Sequence, residues 1–320
     1  MDDVRPRSQV LRLLKRLWPW LVGLAILIIV ATRIPLTAFR EAITRGPHLA
    51  LAAVNLAIIA AVLCTDSVST WIGLFAMRMR RPLRSVVVVR GATYLLFLLN
   101  YAVGQGGFGY YLHRSGTPAL RATGATLFLI GTNLATLLVL TTVAFAAYGT
   151  ATATGLWWTL VGGCAAFAVY LVVIAVAPGV VARREVLAPL FDAGLRGHAL
   201  AMVGRLPHVT VIVLGHWIAM RVWGIPVPLG VGMMLMPVVV IVSVLPISPA
   251  GLGTTHAALV YFFRDYAIGA SPDDRAAAVL AFAIVHFVYG IVAALLVGLA
   301  CTPFARRTQP VLAVPLVTAT

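Results

Sequence analysis

Two uncharged, glycine-rich stretches carry the residue types best suited to hold a ligand. The second in chain order reads "LPISPAGLGTTHAALVYFF" (245–263). Pro246 and Pro249 remove backbone donors and forbid a continuous helix. Gly251 and Gly253 permit sharp turns and leave amides uncovered. A helix resuming near Thr254 would offer free N–H groups and the positive end of its dipole, a favourable place for an anion such as a phosphate. The candidate binding residues here are Ser248, Pro249, Gly251, Gly253, Thr254, Thr255 and His256. The first stretch, "NYAVGQGGFGYYLHR" (100–114), supplies Asn100, Gln105, Gly107, Gly109, Tyr110 and Tyr111. Arg90 before it and His113 with Arg114 at its end are basic groups suited to a phosphate, or equally to anchoring on anionic lipid.

The ionisable residues within apolar runs form a second group. Asp66, in "LCTDSVSTW", is the only acid expected inside a span and is a candidate for proton or ion coupling. The alternative places it near a span end, paired with Arg78 or Arg81. His216 and His286 are further candidates for a proton-coupled step, because histidine titrates near neutral pH; a hydrogen bond between packed helices is the other role open to them. Asn133 would line a cavity or join helices. No pair of ligands has metal spacing, and Cys64, Cys164 and Cys301 sit singly in apolar runs, so neither a metal nor another cofactor is expected. "GQGGFG" follows no strand and is not a nucleotide fingerprint.

Such residues need elements to position them, and composition says which. The chain is 61% hydrophobic and 10% charged, with a mean hydropathy of +1.00. Soluble domains are nearer half apolar and a quarter charged. An all-α, polytopic membrane protein follows. Segments of spanning length, about 20 residues, fall at 17–36, 48–71, 122–147, 157–177, 206–222 and 276–300. Two apolar regions broken by glycine and proline, 86–112 and 228–263, are read as re-entrant hairpins. The expected layout is a basic N-terminus (1–16), one membrane domain (17–305) and a short tail (306–320).

This layout places eighteen of the 24 basic residues on one side, cytoplasmic by the positive-inside rule, with the N-terminus. The loop 183–205 belongs to that side. Region 228–246 alone is long enough to span, which would move the tail across. In the preferred layout, 48–147 and 206–300 are each span, hairpin, span, in opposite orientation: an inverted-topology repeat. The net charge of +15 marks span ends, not a nucleic-acid surface.

"LPISPAGLGTTHAAL" resembles the signature of the lysylphosphatidylglycerol synthase transmembrane region, a flippase-like membrane domain. "NYAVGQGGFGYYLHRSGTPALRATGA" is similar to an earlier block of that family, and the likeness extends over about residues 10 to 305. The resemblance implies a bacterial-type cytoplasmic membrane domain that handles lipids, with both glycine segments around a central cavity. In the synthases a soluble aminoacyl transferase domain follows; the 320 residues here contain none. The family often has a glutamate after each glycine turn, where this chain has Tyr110 or Tyr111 and His256. That points away from cationic, aminoacylated lipids toward anionic or neutral headgroups, including lipid-linked sugars.

Three functions follow as expectations. The first is binding and translocation of a lipid headgroup between the hairpins. The second is a non-catalytic partnership with a separate glycosyl- or aminoacyl-transferase. The third is an intramembrane headgroup enzyme, for which His256 with Asp66 is the best available pair.

Overall fold

The structure is a computed structural model and describes residues 6–149, 154–177, 179–245, 248 and 251–307. Pro249 and the segments 1–5 and 308–320 of the expected termini lie outside the described residues. Those residues form helices and no strand: α1 (Pro6–Thr32), α2 (Leu36–Thr44), α3 (His48–Ala76), α4 (Leu83–Phe97), α5 (Tyr101–Arg114), α6 (Ala119–Tyr148), α7 (Thr154–Val176), α8 (Gly179–Ala182), α9 (Ala188–Val222), α10 (Leu229–Val244), α11 (Thr254–Phe263) and α12 (Pro272–Arg307).

Prolines set many of the starts. Pro35, Pro47, Pro82, Pro118 and Pro228 each directly precede a helix, where a missing N–H costs nothing. α12 opens on a reciprocal cap: the Ser271 amide donates to Asp274 Oδ2 and the Asp274 amide to Ser271 Oγ, satisfying two end donors.

Five helices, α3, α6, α7, α9 and α12, are long and apolar enough to cross a membrane, and the chain is an integral membrane protein. The first expected span, 17–36, is the exception. α1 stops at Thr32, and α2 leaves it at 100°, so the two make a sixth crossing only as a broken pair. α2 was not foreseen; it lies against α12.

The long helices pack through small residues. A Cβ on Gly204 or Gly215 of α9 would collide with Ile72 or Ile58 of α3, and one on Gly197 would crowd Ala76, so the two backbones approach closely, as membrane helices do where lipid gives no hydrophobic drive. The order of these contacts makes α3 and α9 antiparallel. Ser69 Oγ joins them at the Gly204 carbonyl, 2.8 Å away.

The two broken regions are pairs of short helices. In α4 and α5, Phe97 faces Gly104 and Thr93 with Leu96 faces Gly107. Arg81 donates to the Ser115 carbonyl and to Thr117 Oγ1, so the pair ends where it began. The second pair, α10 and α11, starts beside Tyr148 and Trp217 at the other end of the bundle. Fifteen residues of α4 rise about 22 Å, short of the ~30 Å hydrocarbon layer. Long helix, short pair, long helix occurs twice, as α3 to α6 and α9 to α12, and the two pairs start at opposite ends of the bundle.

The stretch 183–205 is no loop. From Ala188 it belongs to α9, with a break in helical geometry at Gly194. Arg205, expected at a surface, is 3% exposed. Helix propensity and packing on α3 override the charge signal.

Candidate functional site

The centre of the site is a carboxylate. Asp66 sits on α3 one turn inside the Ser69 contact, and two arginines converge on it. Arg90 of α4 donates Nε to Asp66 Oδ2 at 2.6 Å and places Nη2 at 2.5 Å from the same oxygen. Arg205 of α9 donates Nη1 to Oδ1 at 2.7 Å. His208, one turn along α9 from Arg205, brings Nε2 to 3.8 Å from Oδ1. Arg205 and His208 share a helix face because they are three residues apart. Neither Arg78 nor Arg81 is Asp66's partner, and Arg90 is buried rather than offered to bulk lipid.

Burying three charges is costly unless they are paired and hydrogen-bonded. Arg90 meets that condition: Nη1 reaches Gln105 Oε1 of α5 at 3.1 Å, and the guanidinium lies over the rings of Phe97 and Phe108 at 5.3 and 5.4 Å. Arg205 does not. Its one hydrogen bond within the described residues uses Nη1, and a guanidinium has five N–H donors. Two arginines against one aspartate leave this pole one positive charge in excess.

Asp66, Arg90, Arg205 and His208 form one end of a cavity of about 380 Å³ enclosed by α3, α4, α5, α6, α9, α10, α11 and α12. Its other end carries His216, His256 and His286. The lining runs from Asn55 to Asp66 on α3 and from Arg205 to His216 on α9, about 16 Å along each helix. The His216 and His286 rings meet edge to face at 4.9 Å. His216 donates Nδ1–H to the Ile212 carbonyl at 2.8 Å, which leaves Nε2 a bare acceptor. His256 Nδ1 accepts from the Gly253 amide at 3.3 Å, and its ring stands against Phe287.

The wall inverts the order of a soluble pocket. Its fully buried members are mainly polar, including Asn55, Gln105 and Asn133. Its half-buried members are mainly apolar, among them Ile59 and Val62 on α3 and Ile291 and Ala294 on α12. A polar interior with an apolar margin suits a polar group delivered from lipid. Several buried polar atoms on the wall have no partner among the described residues: Tyr94 Oη, Asn133 Oδ1, His208 Nδ1, Thr255 Oγ1 and His286 Nδ1. Groups of this kind are normally satisfied.

The glycine turns stand differently from the cavity. Of their candidates, Gln105, Thr255 and His256 line it, as do Arg90, Asp66, His216 and His286. Asn100 caps α5 by accepting from the Ala102 amide. Gly107 lets α5 approach α4, and Gly109 lies against Thr126 of α6. Tyr110 and His113 border a separate surface groove with Gly109; the Tyr110 hydroxyl accepts from Arg114. Tyr111 packs in the core beside Phe108. Ser248 and Thr254 hydroxyls bond each other at 3.1 Å. Gly251 and Gly253 have φ of +73° and +81°, and Gly253 abuts the Gly23 backbone of α1. The second turn is thus packed on α1, and both short-helix pairs meet the cavity with side chains along their helices.

Arg205, His208, Tyr94 and Tyr101 line the cavity and were not singled out in the sequence. A usable signal existed: a buried aspartate demands a cation, and "RLPH" puts two basic groups on one face of a helix. Compared with protein families, with curated proteins and with solved structures, the chain matches none.

Proposed function

We propose that the protein binds a lipid headgroup in the central cavity and carries it across the membrane. One observation carries the reading: a polar, ion-paired cavity is lined by both short helix pairs, α4–α5 and α10–α11, as well as by the long helices. Irregular backbone and buried charge at membrane depth are tolerated where they border protein or a water-filled cavity. Inverted pairs flanking a midplane site are the arrangement of alternating-access transporters.

In this reading α4–α5 and α10–α11 are re-entrant, six crossings include the bent α1–α2, and the N-terminus lies in the cytoplasm of a bacterial-type cell. The headgroup occupies the cavity while acyl chains stay at its apolar margin. The likeness of the second glycine segment to the lysylphosphatidylglycerol synthase transmembrane region supports lipid over a soluble solute. The test is reconstitution into sealed vesicles with labelled lipids. Accelerated movement of at least one headgroup class over protein-free vesicles is expected. Equal rates for every class would overturn translocation.

A further inference from the structure

Resting on that reading, the geometry points to a headgroup of definite chemistry: a phosphate ester carrying free hydroxyls and no amine. Its phosphate binds Arg205, beside the Arg90–Asp66 pair, at one pole, and its hydroxyls meet Asn133, Thr255 and His286 toward the other.

The phosphate end follows from charge and donors. Among the described residues Asp66 is the only acid on the wall, and both of its oxygens are already engaged by arginines. Arg205 is buried, faces the cavity and spends a single donor inside the protein. A phosphate oxygen supplies the missing acceptors in the planar, two-point geometry that guanidinium favours. It also neutralises the charge left over by the two arginines and one aspartate.

The same facts exclude an amine. A cationic headgroup requires a spare carboxylate or an open aromatic cage. Both Asp66 oxygens are engaged by arginines, and the excess positive charge there, with Arg90 already over Phe97, repels a second cation from the neighbouring Tyr94, Phe97 and Tyr101 rings. The far wall is neutral but under-satisfied. Asn133 Oδ1 lacks a donor, Thr255 Oγ1 and His286 Nδ1 lack any partner, and His216 Nε2 is an acceptor. Hydroxyls both donate and accept, so a polyol or sugar satisfies all four, where an alkyl or quaternary ammonium group satisfies none and a primary ammonium can only donate. The 380 Å³ volume falls in the range of small-molecule sites, about 300–1,000 Å³.

The test is ligand-induced thermal stabilisation of the whole chain in mild detergent, where a ligand that binds the folded state raises the unfolding temperature. The probes are dihexanoyl phosphatidylglycerol, phosphatidic acid, phosphatidylcholine and phosphatidylethanolamine, plus glycerol 3-phosphate without chains. Phosphatidylglycerol is expected to stabilise most, and the two amine lipids least. Arg205→Gln should weaken both anionic lipids by about tenfold or more, as loss of a charged hydrogen bond does. Asn133→Ala, outside the ion network and therefore expected to fold, should erase the preference for phosphatidylglycerol over phosphatidic acid and leave phosphatidic acid unchanged. Amine lipids binding as tightly as phosphatidylglycerol would overturn the inference, as would a preference that survives both substitutions. If glycerol 3-phosphate stabilised as well as the lipid, the headgroup chemistry would stand and the lipid reading would fail. The expected binding pattern without transbilayer movement would retire translocation alone.

Discussion

Asp66 holds one arginine from a short helix and one from a long one, so it is a structural joint as well as a wall of the cavity. Asp66→Asn would leave two guanidiniums buried without a counter-charge. Breaking a buried pair this way costs about 3–5 kcal/mol, and a fall in the unfolding temperature of the purified protein should report it. The triple variant Asp66→Asn, Arg90→Gln, Arg205→Gln should be more stable than Asp66→Asn alone, because no bare charge remains. Equal or lower stability of the triple variant would show that the ion cluster does not act as a unit. Asp66 could be named from the sequence, since an acid in an apolar run is conspicuous. Its partners could not. Arg90 and Arg205 lie 24 and 139 residues away, and both sit beside arginine-rich segments that resemble span ends. Only packing of α4 and α9 on α3 separates them from their neighbours.

At the scale of elements, proline and glycine made the breaks legible: helices stop at Phe97 and Val244 and resume at Tyr101 and Thr254, inside the two interrupted stretches. What the glycines do was less readable. Those in α9 set helix approach, and Gly253 presses on α1 through a backbone with positive φ. Period and composition cannot tell a glycine that faces a ligand from one that faces a backbone. Gly253→Ala should therefore destabilise by at least about 1–2 kcal/mol, the left-handed penalty of a Cβ, before the clash with Gly23 is counted. Gly106→Ala, in α5 with nothing within 4 Å of the added carbon, should be neutral or stabilising by up to about 1 kcal/mol. Thermal melts of the two variants make the comparison; a Gly253→Ala protein as stable as wild type would contradict the packed turn. α2 escaped notice because nine residues with Arg40 and Glu41 look like a loop, and its partner on α12 lies some 240 residues away, as the His48–Tyr289 contact beside it shows.

For the whole molecule, composition alone fixed an α-helical membrane protein, whereas the cavity exists only once eight helices are assembled. Its two poles lie along α9, Arg205 and His208 at one and His216 at the other, with Arg90 of α4 beside the first and His256 of α11 beside the second. If α4–α5 and α10–α11 rock against each other, as alternating access requires, each pole opens in turn toward its own side of the membrane. A single cysteine at Thr255, in a chain whose Cys64, Cys164 and Cys301 are replaced by alanine, reads this out in sealed vesicles with a membrane-impermeant thiol reagent. Labelling from either face, slowed from both when phosphatidylglycerol is present, is the predicted result. Labelling confined to one face, or indifferent to the lipid, would contradict a cavity that serves both sides in turn.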